Sequence, residues 1–503
     1  MPLNSVFSWI MKKRVHQIAL FRQYPNEVQG ELFEALMEAG SKTAFGYEHG
    51  MHQVKRLEDF RKAVPIRNYT ELEPYIKRAR TGEHDVLWPG KVKWFAKSSG
   101  TTAGQSKFIP VTKEALEDCH YKGGKDLLAL YYHCVPEATL FNGKHLIVGG
   151  TAGIDSQRGV HTGDLSAIII KNLPFWVELK RTPNREIALM QDWDRKIERM
   201  ARATLEEDVV IIAGVPSWTL LLVERVLELA GTRDLKQVWP NLQLFMHGGV
   251  SFKPYRSQYD ALLPSGGVHY FETYNASEGF FGIQDRTGAD DMLLMLDYGI
   301  FYEFMPLSEY GKDDPETVSL REVEVGVQYA PIITTNGGLW RYMIGDTVKF
   351  TSLDPFRIQV TGRTKHYINA FGEELIVEDA DEAIRYAASQ TGASVAEYTA
   401  APIYMQGALA GGHEWVVEFT QPPTNFDAFV RLLDIRLKEI NTDYRAKRSH
   451  DMIVRAPVVH RVAQGTFYRW MDDRGKLGGQ HKVPRLSNER TLLEQLLDSV
   501  AVA

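Results

Sequence analysis

Along the chain the apolar positions change period several times, and each change marks a different kind of element. Between Glu27 and Ala44 the residues Leu32, Leu36 and Ala39 recur at helical spacing, and a mixed segment follows to Pro65, so a helical N-terminal approach is expected. Leu87-Trp88-Pro89-Gly90 reads as a turn, Val92 to Ala96 as a short strand, and 113–133 as a return to helix. His145 to Val148 is strand-like, and Asp208-Val209-Val210-Ile211-Ile212-Ala213-Gly214 reads as a continuous apolar run suited to a strand covered on both faces. Ser217 is placed to cap an apolar helix from Trp218 to Ala230, which Gly231 stops. The runs 242–246 and 269–274 lead into His247-Gly248-Gly249 and Asn275-Ala276-Ser277-Glu278-Gly279. Strands that feed Gly-rich or polar loops predict an α/β domain with its site at the strand ends.

From Met292 the texture shifts to short runs at 292–296, 300–305, 321–325 and 332–335, expected to be antiparallel strands. After Gly362-Arg363 it shifts again. A strand near 366–368, a helix at 379–389, a strand at 415–419 and an amphipathic helix through Phe426, Phe429, Val430, Leu433, Leu437 and Ile440 suggest a compact α+β domain of about 140 residues. The 503-residue chain is too long for one core, and the expected domains are 1–361 and 362–503.

Composition narrows the function classes. Lys and Arg number 58 against 64 Asp and Glu, and the net charge of −6 gives no electrostatic case for nucleic acid or an acidic membrane. Cys119 and Cys134 are the only cysteines and form no CxxC pair, which argues against a disulfide framework or a cysteine zinc site and fits a reducing cytosol. Lys12-Lys13-Arg14 follow a short apolar segment, unlike a secretory signal, and no apolar run approaches the roughly 20 residues a bilayer span needs. A cytoplasmic protein is expected.

The candidate chemistry begins at Ser98-Ser99-Gly100-Thr101-Thr102-Ala103-Gly104-Gln105-Ser106-Lys107. Hydroxyls, glycines and a lysine with almost nothing apolar cannot build a core, but they suit a polyphosphate: glycines admit the anion to the backbone, N–H and O–H groups donate, and lysine adds charge. The segment is expected between a strand and a helix, where phosphate loops occur. A flexible polar loop is the plainer alternative. Gly100 and Gly104 do not complete a Walker pattern, and neither Gly-x-Ser-x-Gly nor His-Glu-x-x-His occurs.

Two more motifs follow in order, Tyr274-Asn275-Ala276-Ser277-Glu278-Gly279 and Trp340-Arg341-Tyr342-Met343-Ile344-Gly345-Asp346. With the first loop they resemble the Gretchen Hagen family of acyl-acid amido synthetases, a branch of the adenylate-forming superfamily that also holds acyl-CoA synthetases and luciferase. The loop matches that branch's Ser-Ser-Gly-Thr-Thr-x-Gly-x-x-Lys pattern, with one more residue before the lysine than in acyl-CoA ligases. Gly362-Arg363-Thr364-Lys365 with Ile368 and Gly372 resembles the superfamily hinge, and Gln480-His481-Lys482-Val483-Pro484-Arg485 the family's C-terminal segment. Trp340 stands where members usually have tyrosine, and Asn369 where ligases commonly have lysine. The chain is shorter than plant members and looks closer to bacterial relatives.

The resemblance implies an adenylate-forming fold, with a large N-terminal α/β domain and a small mobile C-terminal α+β domain. It also implies an ATP- and Mg2+-dependent ligase that adenylates a carboxylic acid and passes the acyl group to an amine, the expected acceptor being an amino acid. By the same resemblance Ser98, Ser99, Gly100, Thr101, Thr102 and Lys107 hold phosphates. Glu278, beside Ser277, binds magnesium, and Asp346 accepts from the ribose hydroxyls with help from Arg363. Gly248 and Gly249 admit adenine, Tyr274 stacks on it, Phe280 and Phe281 wall the acid, and Lys482 reaches the α-phosphate and carboxylate. Each has a plainer alternative. Glu278 also suits the start of a helix; Asp346 suits a Gly-Asp turn; Tyr274, Phe280 and Phe281 suit a core; Arg363 and Lys482 suit an exposed surface. Transfer to coenzyme A or another thiol, and nucleotide binding without turnover, are the alternative functions.

Overall fold

A computed structural model of the chain describes residues 2–102, 105–149, 154–157, 159–190, 192–252, 255–364, 367–405, 409–448, 453–473 and 483–501. Two compact units emerge. The first is Met1–Ser98 with Lys107–Phe252 and Tyr259–Thr364, and the second is Lys365–Ala503 with Ser99–Ser106 and Lys253–Gln258.

The first unit opens with helices Pro2–Gln23 and Pro25–Gly40. Pro25 sits at the first helical position, where its missing N–H costs nothing. The second helix buries Phe33, Leu36 and Met37, while Leu32 and Ala39 of the predicted stripe are only partly buried at the margin of that face. The first helix is held differently: buried Arg14 donates to Asp126 at 2.7 and 2.6 Å and to Asp297 at 2.9 Å, side chains far away in sequence. Such a tie leaves no periodic signal.

A sheet of twelve strands, counted over the described residues, forms the centre of this unit. Arg181–Thr182, Lys144–Val148, Val209–Gly214, Leu244–Gly248 and His269–Ala276 lie side by side and parallel. The sheet then turns antiparallel through Gly279–Ile283, Met292–Leu294, Phe356–Arg363, Asp346–Leu353, Gln328–Thr335 and Ile300–Pro306. Val209, Val210, Ile211 and Ile212 are fully or almost fully buried, as their unbroken apolar run requires. Gly231 closes the helix Pro216–Ala230 in the left-handed conformation at φ 67°, as expected.

Three expectations are corrected. Val215, not Ser217, occupies the helix N-cap, without a side-chain cap bond, because Pro216 already takes the first helical position. Residues 321–325 are turn and loop: only Val325 bridges to Phe350, too little pairing for a strand. The Ser/Thr/Gly segment lies between two strands rather than a strand and a helix. Trp94–Thr102 pairs with Gln105–Val111, so the hydroxyl run continues the first strand, and a π-helical turn, Ala115–Tyr121, begins only after Val111.

The second unit carries a three-stranded sheet of Ser394–Ile403, Gly412–Gln421 and Val458–Val462 with helices Val377–Thr391 and Phe426–Ile440. Phe429, Leu433 and Leu437 are buried along the predicted stripe. This is α+β, against the α/β of the first unit. Across the described residues no helix is long and apolar enough to cross a membrane.

Candidate active site

The candidate site sits where the parallel part of the sheet meets the antiparallel part, at the strand ends. Gly214 pairs with His247, and Gly248 with Thr273. A Cβ on Gly248 would come within 2.5 Å of the Thr273 carbonyl oxygen, so the neighbouring strand by itself explains the missing side chain. Gly249 has φ 83°, a conformation open to glycine. The strand end is thus bare backbone on this side.

Glu278 stands at the tip of a tight hairpin. Ala276 pairs with Gly279, which leaves Ser277 and Glu278 as the two turn residues, both partly buried. No helix begins there, so a helix-dipole role for Glu278 is removed. Across the described residues no three His, Cys, Asp or Glu side chains gather into a metal cage. A single carboxylate on a turn fits a magnesium ion that arrives on phosphate, since such ions take only one or two protein carboxylates.

Asp346 is held from both sides. The Tyr274 hydroxyl donates to Oδ2 at 2.8 Å, and Arg363 Nε donates to Oδ1 at 2.8 Å from the directly opposed position on the next strand. Gly345, at φ 95°, makes the turn that delivers Asp346, and its carbonyl accepts from the Thr364 amide at 2.8 Å. Each carboxylate oxygen keeps a lone-pair site, so Asp346 can still accept from a diol. Burial, then the Asp346 charge, holds the Tyr274 hydroxyl well above a phenol's ordinary range, so it stays a donor. The Tyr274 ring packs on Phe281, centroids 4.8 Å apart.

Phe280 and Phe281 belong to the main core. The Phe280 amide donates to Cys119 Sγ at 3.2 Å, and Gly123 has no room for a Cβ because the Phe280 ring lies 2.5 Å from where it would sit. Burial pushes the Cys119 thiol up to about 12, so it is inert there.

Ser98, Ser99, Gly100, Thr101 and Thr102 lie along the strand Trp94–Thr102, but their side chains are outside what the structure describes, as are Ala103 and Gly104. Lys107 lies on the second strand, Gln105–Val111, and is the first residue there whose side chain is described. Its ammonium lies 5.9 Å from the Tyr69 ring centroid, and the Tyr69 hydroxyl accepts from the Phe108 amide at 2.9 Å. Lys365 and Lys482 fall outside the described residues.

Residue-by-residue reading of the sequence missed Tyr69, Tyr342 and the side-chain role of Arg341. Arg341 is buried with φ 44°. Its guanidinium donates to Glu303 at 2.9 and 3.1 Å, to the Val64 carbonyl at 2.8 Å and to Thr317 at 3.2 Å. Trp340 is fully buried, donates to the Leu87 carbonyl at 3.0 Å and stacks near Trp88 and Phe45. The departure from tyrosine is therefore a packing change.

Three family models match successive parts of the chain: GH3 family N-terminal domain over residues 14–268, GH3 family central domain over 293–363, and GH3 family C-terminal domain over 378–491. The chain is 24% identical over 557 residues to indole-3-acetic acid-amido synthetase GH3.3 of Arabidopsis thaliana, covering 95% of this chain and 91% of that protein. It is 23% identical over 563 residues to 4-substituted benzoates-glutamate ligase GH3.12 of the same plant, covering 95% of each. The fold matches the structure of GH3.15 acyl acid amido synthetase with a TM-score of 0.62 at 18% identity, over 98% of this chain and 96% of that one. A 2-hydroxyisobutyryl-CoA ligase matches with a TM-score of 0.59 at 14% identity, over 95% and 92%.

Proposed function

The chain belongs to the GH3 family, and from that premise we propose that it is an acyl-acid amido synthetase that uses ATP and magnesium to join a small carboxylic acid to an amine, most simply an amino acid. The observation that carries this reading is Asp346, held at a strand end between Tyr274 and Arg363, in the sheet whose neighbouring hairpin presents Glu278. A pinned two-oxygen acceptor suits a ribose diol, and a turn carboxylate suits a phosphate-borne cation.

In the first step a carboxylate oxygen of the acid attacks the α-phosphorus, the bond to the bridging oxygen breaks and pyrophosphate leaves. In the second the amine nitrogen attacks the acyl carbonyl, the carbon–oxygen bond to AMP breaks, and the nitrogen gives up a proton. Magnesium, when bound, neutralises phosphate charge. The protein's part is positioning and charge. Asp346 and Arg363 orient the ribose; Gly248 and Gly249 leave backbone open to adenine beside Tyr274; Ser277 and Glu278 face the phosphate end. Ser98, Ser99, Gly100, Thr101, Thr102 and Lys107 grip the phosphates. Phe280 and Phe281 form the apolar back of the acid site, and Lys482 supplies a cation at the α-phosphate and carboxylate. The working domains are 1–361 and 362–503, a division supported by the central family model ending at 363 and the C-terminal one beginning at 378. Two free cysteines support a cytoplasmic site.

The test is acid-dependent pyrophosphate release from ATP–Mg over a carboxylate panel, with hydroxylamine as a generic trap. Parallel arms add amino acids or coenzyme A to separate amide from thioester formation. Lys482→Ala is expected to keep ATP binding and to lose release about a hundredfold or more. No release with any acid would sink the reading.

A further inference from the structure

The motif Gln480-His481-Lys482-Val483-Pro484-Arg485 carries two cations, and its last three residues lie within the described chain. In the second unit the strand Ser394–Ile403 pairs with Gly412–Gln421 along one edge. Its other edge takes up the segment that follows Lys482. The Ala400 amide donates to the Arg485 carbonyl at 2.8 Å, the Ser487 amide donates to the Ala400 carbonyl at 3.1 Å, and Ala400 and Leu486 form a parallel bridge. Val483 is buried in a core cluster with Val416, Val462, Phe467, Leu493 and Leu496. Pro484 fixes its own φ and biases Val483 toward extended backbone. The buried Thr399 hydroxyl then donates to the Pro484 carbonyl at 2.7 Å. Since a trans peptide spaces neighbouring Cα atoms about 3.8 Å apart, the lysine is attached one such step from a core residue.

Arg485, the motif's other cation, is engaged within the same unit. Its Nη1 donates to Asp381 on the helix Val377–Thr391, its Nε lies 3.6 Å from a Glu397 carboxylate oxygen, and its guanidinium sits over the Tyr398 ring, 5.3 Å from the centroid. The Tyr398 hydroxyl donates to the same Asp381 oxygen at 2.5 Å. Burial, then that hydrogen bond, holds the phenol well above its ordinary range, so it stays a donor. The arginine's charge is thus matched by two carboxylates of its own unit, and a phosphate would have to compete with both for it.

We propose that Thr399 and the Asp381–Arg485 ion pair are positioning residues for Lys482. They fix the main chain at Pro484 and Arg485, so the lysine ammonium is delivered to one place for adenylation, and Arg485 works inside this anchor rather than as a second cation on phosphate. This rests on the reading of Lys482 as the cation at the α-phosphate and carboxylate. A long, flexible side chain stabilises a developing charge only as well as its attachment point is held.

The test measures acid-dependent pyrophosphate release and calorimetric ATP–Mg binding for wild type, Thr399→Val, Thr399→Ser, Asp381→Asn, Arg485→Gln and Lys482→Ala, well below the Tm of each. Thr399→Val keeps the side chain's shape and removes its donor. It is expected to lower kcat about tenfold while the Kd for ATP–Mg stays within about twofold of wild type, because a misplaced cation loses transition-state stabilisation before ground-state binding. Thr399→Ser, which keeps the donor, should retain about half or more of the wild-type kcat. Asp381→Asn and Arg485→Gln should each lower kcat about threefold with no change in Kd, a smaller loss because the pair is partly exposed. In the Lys482→Ala background each change should add less than about twofold. The inference is overturned if Thr399→Val and Asp381→Asn both leave kcat within about twofold of wild type, if their losses persist in full without Lys482, or if ATP–Mg binding weakens as much as turnover slows. A rise in Kd confined to Arg485→Gln would put that arginine on phosphate and overturn it as well. Should Thr399→Val fail to fold, Asp381→Asn decides by the same criteria. Undiminished pyrophosphate release by Lys482→Ala would instead overturn the reading of Lys482, and this inference with it.

Discussion

Arg341 shows how much of this site depends on residues that touch no substrate. It combines a backbone conformation that side chains rarely adopt with a guanidinium whose donors go to Glu303, Thr317 and main-chain carbonyls, in a setting where both charged groups are under about a twentieth exposed. Glu303 also accepts from Arg61 at 2.8 Å and Thr317 at 2.7 Å. Removing the carboxylate leaves two arginines facing each other without their counter-ion. Glu303→Ala is therefore expected to cost about 3–5 kcal/mol in urea unfolding, the range for breaking a buried pair from one side. Because the clamp fixes the turn into Tyr342 and Asp346, KM for ATP should rise in whatever fraction remains folded. A cost under about 1 kcal/mol would show the network to be dispensable.

At the scale of elements, one tight constraint is the contact between neighbouring strand ends. Gly248→Ala places a methyl 2.5 Å from a carbonyl oxygen of the adjacent strand, and no rotamer change relieves a clash with backbone. It should cost about 1–3 kcal/mol and weaken nucleotide binding together with Tm, whereas a glycine needed only for the nucleotide would leave the unliganded Tm untouched. The sequence made the parallel strands legible because burial on both faces demands an unbroken apolar run such as 209–212, and the helix behind them because Gly231 punctuates it. It hid the Trp94–Val111 hairpin, since Ser98 to Thr102 has no apolar alternation to mark a strand. It hid the helix Pro2–Gln23 for a related reason, because Arg14 is paid for by distant Asp126 and Asp297. The motifs singled out Glu278 and Asp346, but the partners of Asp346 emerge only when strands far apart in sequence are laid side by side.

For the molecule as a whole, the buried histidines set an acid limit. Burial pushes His120 and His145 down to about 4, and His145 uses Nε2–H to donate to the Leu140 carbonyl at 2.8 Å. In the unfolded chain both titrate near the ordinary histidine value of about 6.5, so between that pH and 4 the unfolded state binds more protons. Stability is then fully present above about pH 6.5 and falls as the pH drops toward 4, by up to roughly 3 kcal/mol for each histidine. Asp434 and Glu414, held low despite burial by Arg448 and Arg490 respectively, lose their contribution further into acid, so the histidines dominate the first part of the decline. Urea unfolding of wild type and His120→Leu from pH 7.5 to 4.5 separates the two sources. The variant should show a shallower fall over pH 6.5–4.5, because it no longer takes up that proton on unfolding. Parallel curves for the two proteins would mean that His120 is already charged, or already solvated, in the folded chain.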